Sequence, residues 1–536
     1  MVVGVAQVDG PDRPFVKSAE EMAGKFSAEL MGQMPSWKSR LVENPACLPQ
    51  LEQDVHAAFA RGADLVVTGL LAMVMGREDF LAEAERTRRE CDTPLRPGRE
   101  RKIQVRLLGG LVIWLTSLYC PPRRRRRGPV GDEASSTPGM YVELAQFGFG
   151  KGCSPALESR VARQAAFHTS YQNACDELAR DGVDLDVKTV RRIATQCGER
   201  SLTLRAHELD LFRAGKLPRG TELAGKRVAV QFDGGRTRLR GPLRAAPSRP
   251  PGTDADGLPA EDAPGRSRAR PRRTFDAEWR EPKLFTIFVH DEQGRMDGRT
   301  LATVEGTFEG PDALAELIAM TLHRLGAAQA ASVTFSGDGA TWIWDRVPTI
   351  AALAGLPQAR LREVLDNCHA AQHVSQALTA LGLNDRERLP LFRELRTKLR
   401  NGQWREVVAT LTELAAEQPA NAPVRTEIAY LTKHGEAGRL RYAEFRRQGV
   451  PLGSGAIESS IRRVINLRLK GNGVFWDPAN AEAMLQVRAL VISKRWDERL
   501  AATRALELRQ GRQGWRRPSR PMSIKADPPP NTPKNT

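Results

Sequence analysis

The chain has 536 residues, 41% of them hydrophobic, enough to bury real cores and, by length, to build roughly three or four domains. A formal charge of +17, from 81 Lys and Arg against 64 acids, calls for a polyanionic partner such as nucleic acid, with a membrane surface as the competing reading. The longest apolar run, Leu107 to Cys120, holds two glycines and is shorter than the roughly 20 residues of a bilayer span, no secretory leader heads the sequence, and seven scattered cysteines form no C-x-x-C pair. These features exclude a membrane span and a disulfide framework, and the expected location is cytoplasmic, with the nucleoid.

From Ser18 to Arg89 apolar residues recur at three and four residue spacing, as at Leu65, Val66, Leu70 and Met73, which predicts helices. Lys102 to Cys120 reads as two strands joined at Gly109-Gly110. Arg123 to Arg127 is a charge run, either solvated or clamped on a nucleic-acid backbone, and Cys120 has no neighbours at zinc-ligand spacing. In Ser154 to Gly198, a helix over Tyr171 to Arg180, a turn at Gly182 to Asp186 and a helix over Val187 to Gln196 lay out a helix-turn-helix. Lys188, Arg191, Arg192 and Gln196 would face outward to meet phosphates or base edges, unless this is an ordinary pair of packed helices.

RVAVQF, Arg227 to Phe232, is a buried-strand run ending at Asp233-Gly234-Gly235. Residues 236 to 273, rich in Pro, Gly, Arg and Asp, read as a disordered insertion. Strands over Lys283 to His290 and Thr300 to Thr307, and a helix over Pro311 to Leu325, lead to SVTFSGDGATWIW, Ser332 to Trp344, where a strand ends at Asp338 between two glycines. A short strand near Val364 and Leu365 precedes a helix opened by Asp366, with His369 and His373 one turn apart on it. A helical insertion of about 375 to 450 follows, then a turn at Pro451 to Gly455 and a helix carrying Glu458, with Arg462 one turn further on. Past Trp496 the sequence turns basic and Pro-rich and reads as a frayed tail.

Asp233, Asp338 and Glu458 thus occupy two strand ends and one helix start. Such positions gather on one edge of an open sheet. Converging carboxylates repel unless divalent cations compensate them, and hard oxygen ligands suit Mg²⁺ or Mn²⁺, two of which can act on the two sides of a phosphorus. For each acid a bland alternative exists, a turn-capping Asp or a helix-dipole Glu.

The motifs QFDGG, EWREPKL, SGDGATWIW, LDNCHAAQHV, RYAEFRRQGVPLGSGAIESS and RALVISKRWD, in this order between Gln231 and Asp497, resemble bacterial insertion-sequence transposases of the ISKra group, in the DDE superfamily. The resemblance covers about Ser154 to Asp497. It implies an α/β fold with a ribonuclease H-like mixed sheet, Asp233, Asp338 and Glu458 as acidic triad and metal ligands, Asp366 and His369 as an accessory D-x-x-H element, and two Mg²⁺ or Mn²⁺ ions. The implied activity is cleavage of DNA at the element's terminal inverted repeats and strand transfer into target DNA, by a homo-oligomer assembled on double-stranded DNA. The alternatives are a non-catalytic DNA-binding descendant and a nuclease without strand transfer. The corresponding organisation is an N-terminal region over 1–145, a helix-turn-helix-like region over 146–220, a catalytic domain over 221–500 and a tail over 501–536. The sequence departs from the family pattern where relatives carry paired cysteines after a hairpin, since Cys120 is followed by two prolines and the arginine run, and in the length of the 236–273 segment.

Overall fold

The computed structural model describes residues 7–8, 19–123, 139–150, 152–243, 275–418, 420–471 and 473–512. Most of the arginine run, from Arg124 on, and residues 244–274 and 513–536 therefore lie outside the described residues.

The chain is mixed α/β. Strand β1 (Gln7–Val8) and three helices, α1 (Ala19–Glu43), α2 (Leu48–Met75) and α3 (Glu78–Glu90), come first, and then the antiparallel strands β2 (Arg99–Arg106) and β3 (Val112–Cys120). The connection between the two strands spans Leu107 to Leu111, longer than the two-residue turn expected at Gly109-Gly110. Asp64 of α2 explains the shape: its carboxylate, buried, accepts hydrogen bonds from the N–H groups of Gly109 and Leu111 at 3.0 Å each and fixes the loop against the helix. The segment Pro45–Met75, which holds an 18-residue window of mean hydropathy 1.6, is long and apolar enough to cross a membrane by length and composition. A search for unbroken apolar runs passes over it because Arg61 and Asp64 interrupt it, and here it packs against α1 and holds the β2–β3 loop through Asp64.

After β4 (Met140–Tyr141) and α4 (Val142–Gln146) come α5 (Pro155–Phe167), α6 (Tyr171–Arg180) and α7 (Val187–Arg213). Asp186 caps α7 by accepting from Thr189 N–H at 2.7 Å. This helix runs well past Gln196, where the sequence reading ended it. Gly198 is the reason: a Cβ there would lie 2.4 Å from the Ala483 carbonyl oxygen, so the glycine marks a close helix crossing and not a helix end.

The catalytic-domain candidate begins with β5 (Arg227–Gly234), β6 (Thr237–Leu243), β7 (Phe275–Arg280), β8 (Lys283–Val289), β9 (Thr303–Thr307), α8 (Pro311–Leu325) and β10 (Ser332–Gly337). It continues through α9 (Thr341–Trp344), α10 (Val347–Ala354), β11 (Leu361–Leu365), α11 (Asn367–Ala380), α12 (Asp385–Arg400), α13 (Trp404–Ala415), α14 (Ala422–Glu436), α15 (Tyr442–Arg447) and α16 (Gly455–Ile461). Five strands form one mixed sheet in the order β11-β10-β5-β8-β9, with β11, β10 and β5 parallel and β8 and β9 antiparallel. Alternation along β8 sends Phe285 and Ile287 into one core, with α8 and α10, and Leu284 into the other, with α5, α7 and α17 (Pro478–Ile492).

Two further expectations are corrected. The segment taken as disordered from 236 begins with an ordered strand, because Thr237 and Leu239 of β6 are buried while arginines alternate outward. The region past Trp496 is not frayed at its start. It forms α18 (Trp496–Gln510), whose Trp496, Leu500 and Leu506 are buried.

Arginine–glutamate pairs bind this C-terminal end to α7: Arg205 to Glu482 at 2.6 Å, Arg200 to Glu507 at 2.6 Å, and Arg499 to Glu208 through two bonds of 2.7 Å. Breaking a buried pair strands one charge, at about 3–5 kcal/mol. Arg499→Ala is therefore expected to lower stability by about that amount in a chemical denaturation series. Arg499→Met combined with Glu208→Leu should lose much less; equal losses would mean that packing, not charge, decides.

Candidate active site

Each of the three parallel strands ends in an aspartate. Pairing of Ser336 with Gln231 and of Gly337 with Leu365 carries Asp233, Asp338 and Asp366 to the same edge, outside the carboxyl ends of β5, β10 and β11. Glu458 reaches that edge on α16. Gln231 anchors this helix, accepting from Ile457 N–H at 3.1 Å and donating to the Gly453 carbonyl at 2.7 Å. Thr286 of β8 adds a bond of 3.0 Å to Ser460.

Among the described residues, the one group of three possible metal-ligating side chains whose ligand atoms all lie within 4.8 Å is Asp366, His369 and Glu458. Asp233 and Asp338 stand outside it. Each acid is bonded locally: Asp233 accepts from Gly234 N–H at 2.6 Å, Asp338 from Ala340 N–H at 3.0 Å, and Glu458 from the Ser454 hydroxyl at 2.6 Å. The structure thus divides the expected triad into a strand-end pair, Asp233 and Asp338, and a Glu458 grouped with Asp366 and His369.

Electrostatics ties the two parts together. Burial, with the charge of Asp338 behind it, pushes the Asp233 carboxyl up to about 6. The Asp366 carboxylate raises the pKa of His369 against the opposing pull of burial, and the charges of Asp338 and Glu458 act in the same sense. Asp366 is different. Burial works to raise its pKa, but hydrogen bonds from His369 and Ser454 outweigh it and hold the carboxyl down to about 2. Asp366 accepts from Cys368 N–H at 2.7 Å, from His369 N–H at 2.8 Å and from Ser454 N–H, so it acts as a helix cap that also fixes the turn before α16. With three N–H bonds on it, Asp366 has less ligating capacity than Asp233, Asp338 or Glu458. His369 Nδ1 lies 3.3 Å from Asp366, near enough for charge attraction but outside hydrogen-bond geometry. His373 is turned away from this group, bonded to Glu427 and stacked on Tyr430 with ring centroids 3.6 Å apart.

Gly339 serves the protein's own packing. A Cβ there would lie 2.1 Å from the Tyr430 hydroxyl, so the glycine admits a side chain from α14 to the Asp338 turn. That hydroxyl is buried without a hydrogen-bond partner. Gln231 and Tyr430 are site residues that the sequence reading does not reach. A carboxamide inside the apolar run RVAVQF was a usable sign, since a buried Gln needs partners; Tyr430, inside a helical stretch, gave none.

Lys188, Arg191 and Arg192 are exposed on the first turns of α7, and Gln196, half-buried, accepts from Arg192 at 3.3 Å. Arg462 is exposed where α16 passes into a single π turn, Arg462–Asn466, in which Leu467 N–H bonds to the Arg462 carbonyl. No protein-family model matches the chain, and no curated protein matches it.

The raised Asp233 fixes a pH dependence. Its folded value of about 6 exceeds the ordinary 3.8, so the folded state binds more protons between these limits and loses stability as pH rises through them. In metal-free buffer Asp233→Asn should melt at a higher temperature than the parent at neutral pH, and the gap should close as pH falls through about 6. A gap independent of pH would mean that the carboxylate is not under strain from its neighbours.

Proposed function

We propose that the chain is a metal-dependent DNA phosphoryl-transfer enzyme, a transposase of the DDE type that cuts DNA at its element's ends and joins them to target DNA. The observation that carries this reading is the register that brings Asp233 and Asp338 to one sheet edge, together with the clamp that holds the helix of Glu458 to β5. The sheet, three parallel strands flanked by two antiparallel ones, is compatible with the ribonuclease H-like core that the sequence resemblance implies. The formal charge of +17 and the exposed Lys188, Arg191 and Arg192 at the start of α7 support DNA as the partner, with Gln196 and Arg462 as further contacts.

The donor set fits hard divalent cations. A carboxylate pair in which one member is held protonated to about pH 6 by burial and by its neighbour's charge gains from a cation that neutralises both. Asp233, Asp338 and Glu458 would hold Mg²⁺ or Mn²⁺, as two ions. When bound, such ions stabilise charge at a transferring phosphoryl group and provide a nucleophile at neutral pH. The chain's own groups do the rest. Asp366 keeps the Ser454 turn, and so Glu458, at the edge, and His369, raised toward its protonated form, offers positive charge to a phosphate oxygen. Hydrolysis at an element end frees a 3′ hydroxyl. In the second step that oxygen bonds to a target phosphorus as the target's own 3′ oxygen leaves.

Glu458→Gln tests the site. The amide keeps size and helix position but removes the charge that holds a cation against its hydration shell. Cleavage and strand transfer of a labelled end fragment should fall by several orders of magnitude in Mg²⁺ and in Mn²⁺, with gel-shift affinity unchanged. Cleavage near the parent rate would remove Glu458 from the site, whereas cleavage without joining in the parent protein would favour a nuclease.

Arg191→Ala with Arg192→Ala tests the interface. End binding should weaken and the slope of log affinity against log salt should fall by about one per lost phosphate contact. An unchanged slope would locate the DNA contact elsewhere.

A further inference from the structure

Past the acidic edge, the central strand β5 and its neighbour β8 continue as a separate ribbon. β5 and β8 give way at Gly235 and Pro282, where Gly235 N–H bonds to the Pro282 carbonyl at 2.9 Å, and β6 pairs with β7 antiparallel from there on. Thr237 and Leu239 point inward, Thr237 donating to the Leu469 carbonyl at 2.7 Å. The outer face therefore carries Arg236, Arg238 and Arg240, with Trp279 opposite Arg238 in the register.

On that face guanidinium groups and rings alternate. Arg236 lies 5.5 Å and Arg238 5.3 Å from the Trp279 ring centroid, Arg238 is also 4.9 Å from Phe475, and Arg240 is 4.8 Å from Phe275. Trp279 is 52% exposed, which is unusual for the largest apolar side chain when it has no core to fill. Guanidinium groups are planar and weakly hydrated, so they both stack and pair with phosphate, and an open indole offers a face on which any base can stack. The acids lie at the root of this ribbon: Asp233 is three residues before Arg236 on the same strand path.

We propose that the outer face of the β6–β7 ribbon binds unpaired nucleotides of a DNA end, with a base stacked on Trp279 and the neighbouring phosphates on Arg236 and Arg238. Duplex DNA keeps its bases stacked on each other, so the indole selects a strand that has left the helix next to the phosphate to be cut. This rests on the phosphoryl-transfer reading of the acids for its purpose, although the binding itself needs no catalysis.

The test uses the full chain without divalent metal and fluorescein-labelled duplexes of about 20 base pairs, blunt or with a 3′ tail of about four thymines. Anisotropy titrations should show Trp279→Ala binding the tailed duplex about five- to a hundred-fold more weakly than the parent, Trp279→Phe recovering most of the loss, and blunt duplex bound equally by all three. Abasic sites in the tail should cost the parent the same factor and leave Trp279→Ala unaffected. Equal affinity of the parent and Trp279→Ala for the tailed duplex, or equal losses with bases and abasic sites, would overturn the proposal. Arg238→Ala, read on the same probes, separates stacking from charge: it should weaken both duplexes and flatten the salt dependence. Cleavage assays with Glu458→Gln remain independent, so a failed stacking test would leave the phosphoryl-transfer reading standing, and the converse also holds.

Discussion

The side-chain amide of Gln231 is the contact on which the candidate site depends. It joins two segments 226 residues apart in sequence by satisfying Ile457 N–H with its oxygen and the Gly453 carbonyl with its nitrogen. At this helix start Ile457 N–H is shared between the Ser454 carbonyl, at 3.0 Å, and the Gln231 oxygen, while the Gln231 nitrogen satisfies a carbonyl of the preceding turn. Because Gln231 is two residues from Asp233 on β5, the same bond that completes α16 also fixes the distance between its glutamate and the strand-end acids. Asp366 secures the other side through Ser454, so the turn before Glu458 is held from both β5 and β11.

That arrangement opposes a cost. Three aspartates end three adjacent parallel strands, and burial, with like charge behind it, resists ionisation at such a place, as Asp233 shows. The structure meets the repulsion unevenly. Asp366 is held ionised by hydrogen bonds and by His369, whereas among the described residues Asp233 and Asp338 each accept one backbone bond. The stabilised acid therefore supports the turn before Glu458, and Asp233, of the strand-end pair, is pushed up. Stability given up at a site in this way is offset in the packed helices around it, where buried Arg–Glu pairs hold α7 to α17 and α18.

The sequence was most readable where local chemistry and tertiary role agree. Helix α8 has Pro311 in its first turn and Gly326 in the left-handed conformation just after its end, and its limits could be read directly. The strand runs at β5, β8 and β10 were readable because buried parallel and central strands are nearly all apolar. Misreadings arose where one residue type serves two purposes. Gly198 has the appearance of a helix stop but permits a helix crossing, and the arginines of β6 have the composition of a linker but alternate with Thr237 and Leu239. That Asp233 and Asp338 stand at strand ends could be inferred, since apolar runs and glycine turns carry that information; the grouping of Glu458 with Asp366 and His369 could not, because it follows from hydrogen bonds between distant segments.

The same reasoning explains why the ribbon matters to the site. A loop beside an active site can move independently of it, but β6 and β7 are the covalent continuations of β5 and β8, and Gly235 and Pro282 are hydrogen-bonded across the junction. Any strand lying along Arg236, Arg238 and Trp279 would thus be held in fixed relation to Asp233 by backbone, with no flexible link between. Catalysis of phosphoryl transfer is mainly positioning and charge stabilisation, and positioning is only as good as the stiffness of what joins the binding groups to the reacting ones. On the other side Tyr430, delivered by α14 through the gap left at Gly339, brings the helical insertion onto the Asp338 turn. The acidic edge is thereby bounded by two elements of different origin, a ribbon grown from the sheet and a helix laid over it.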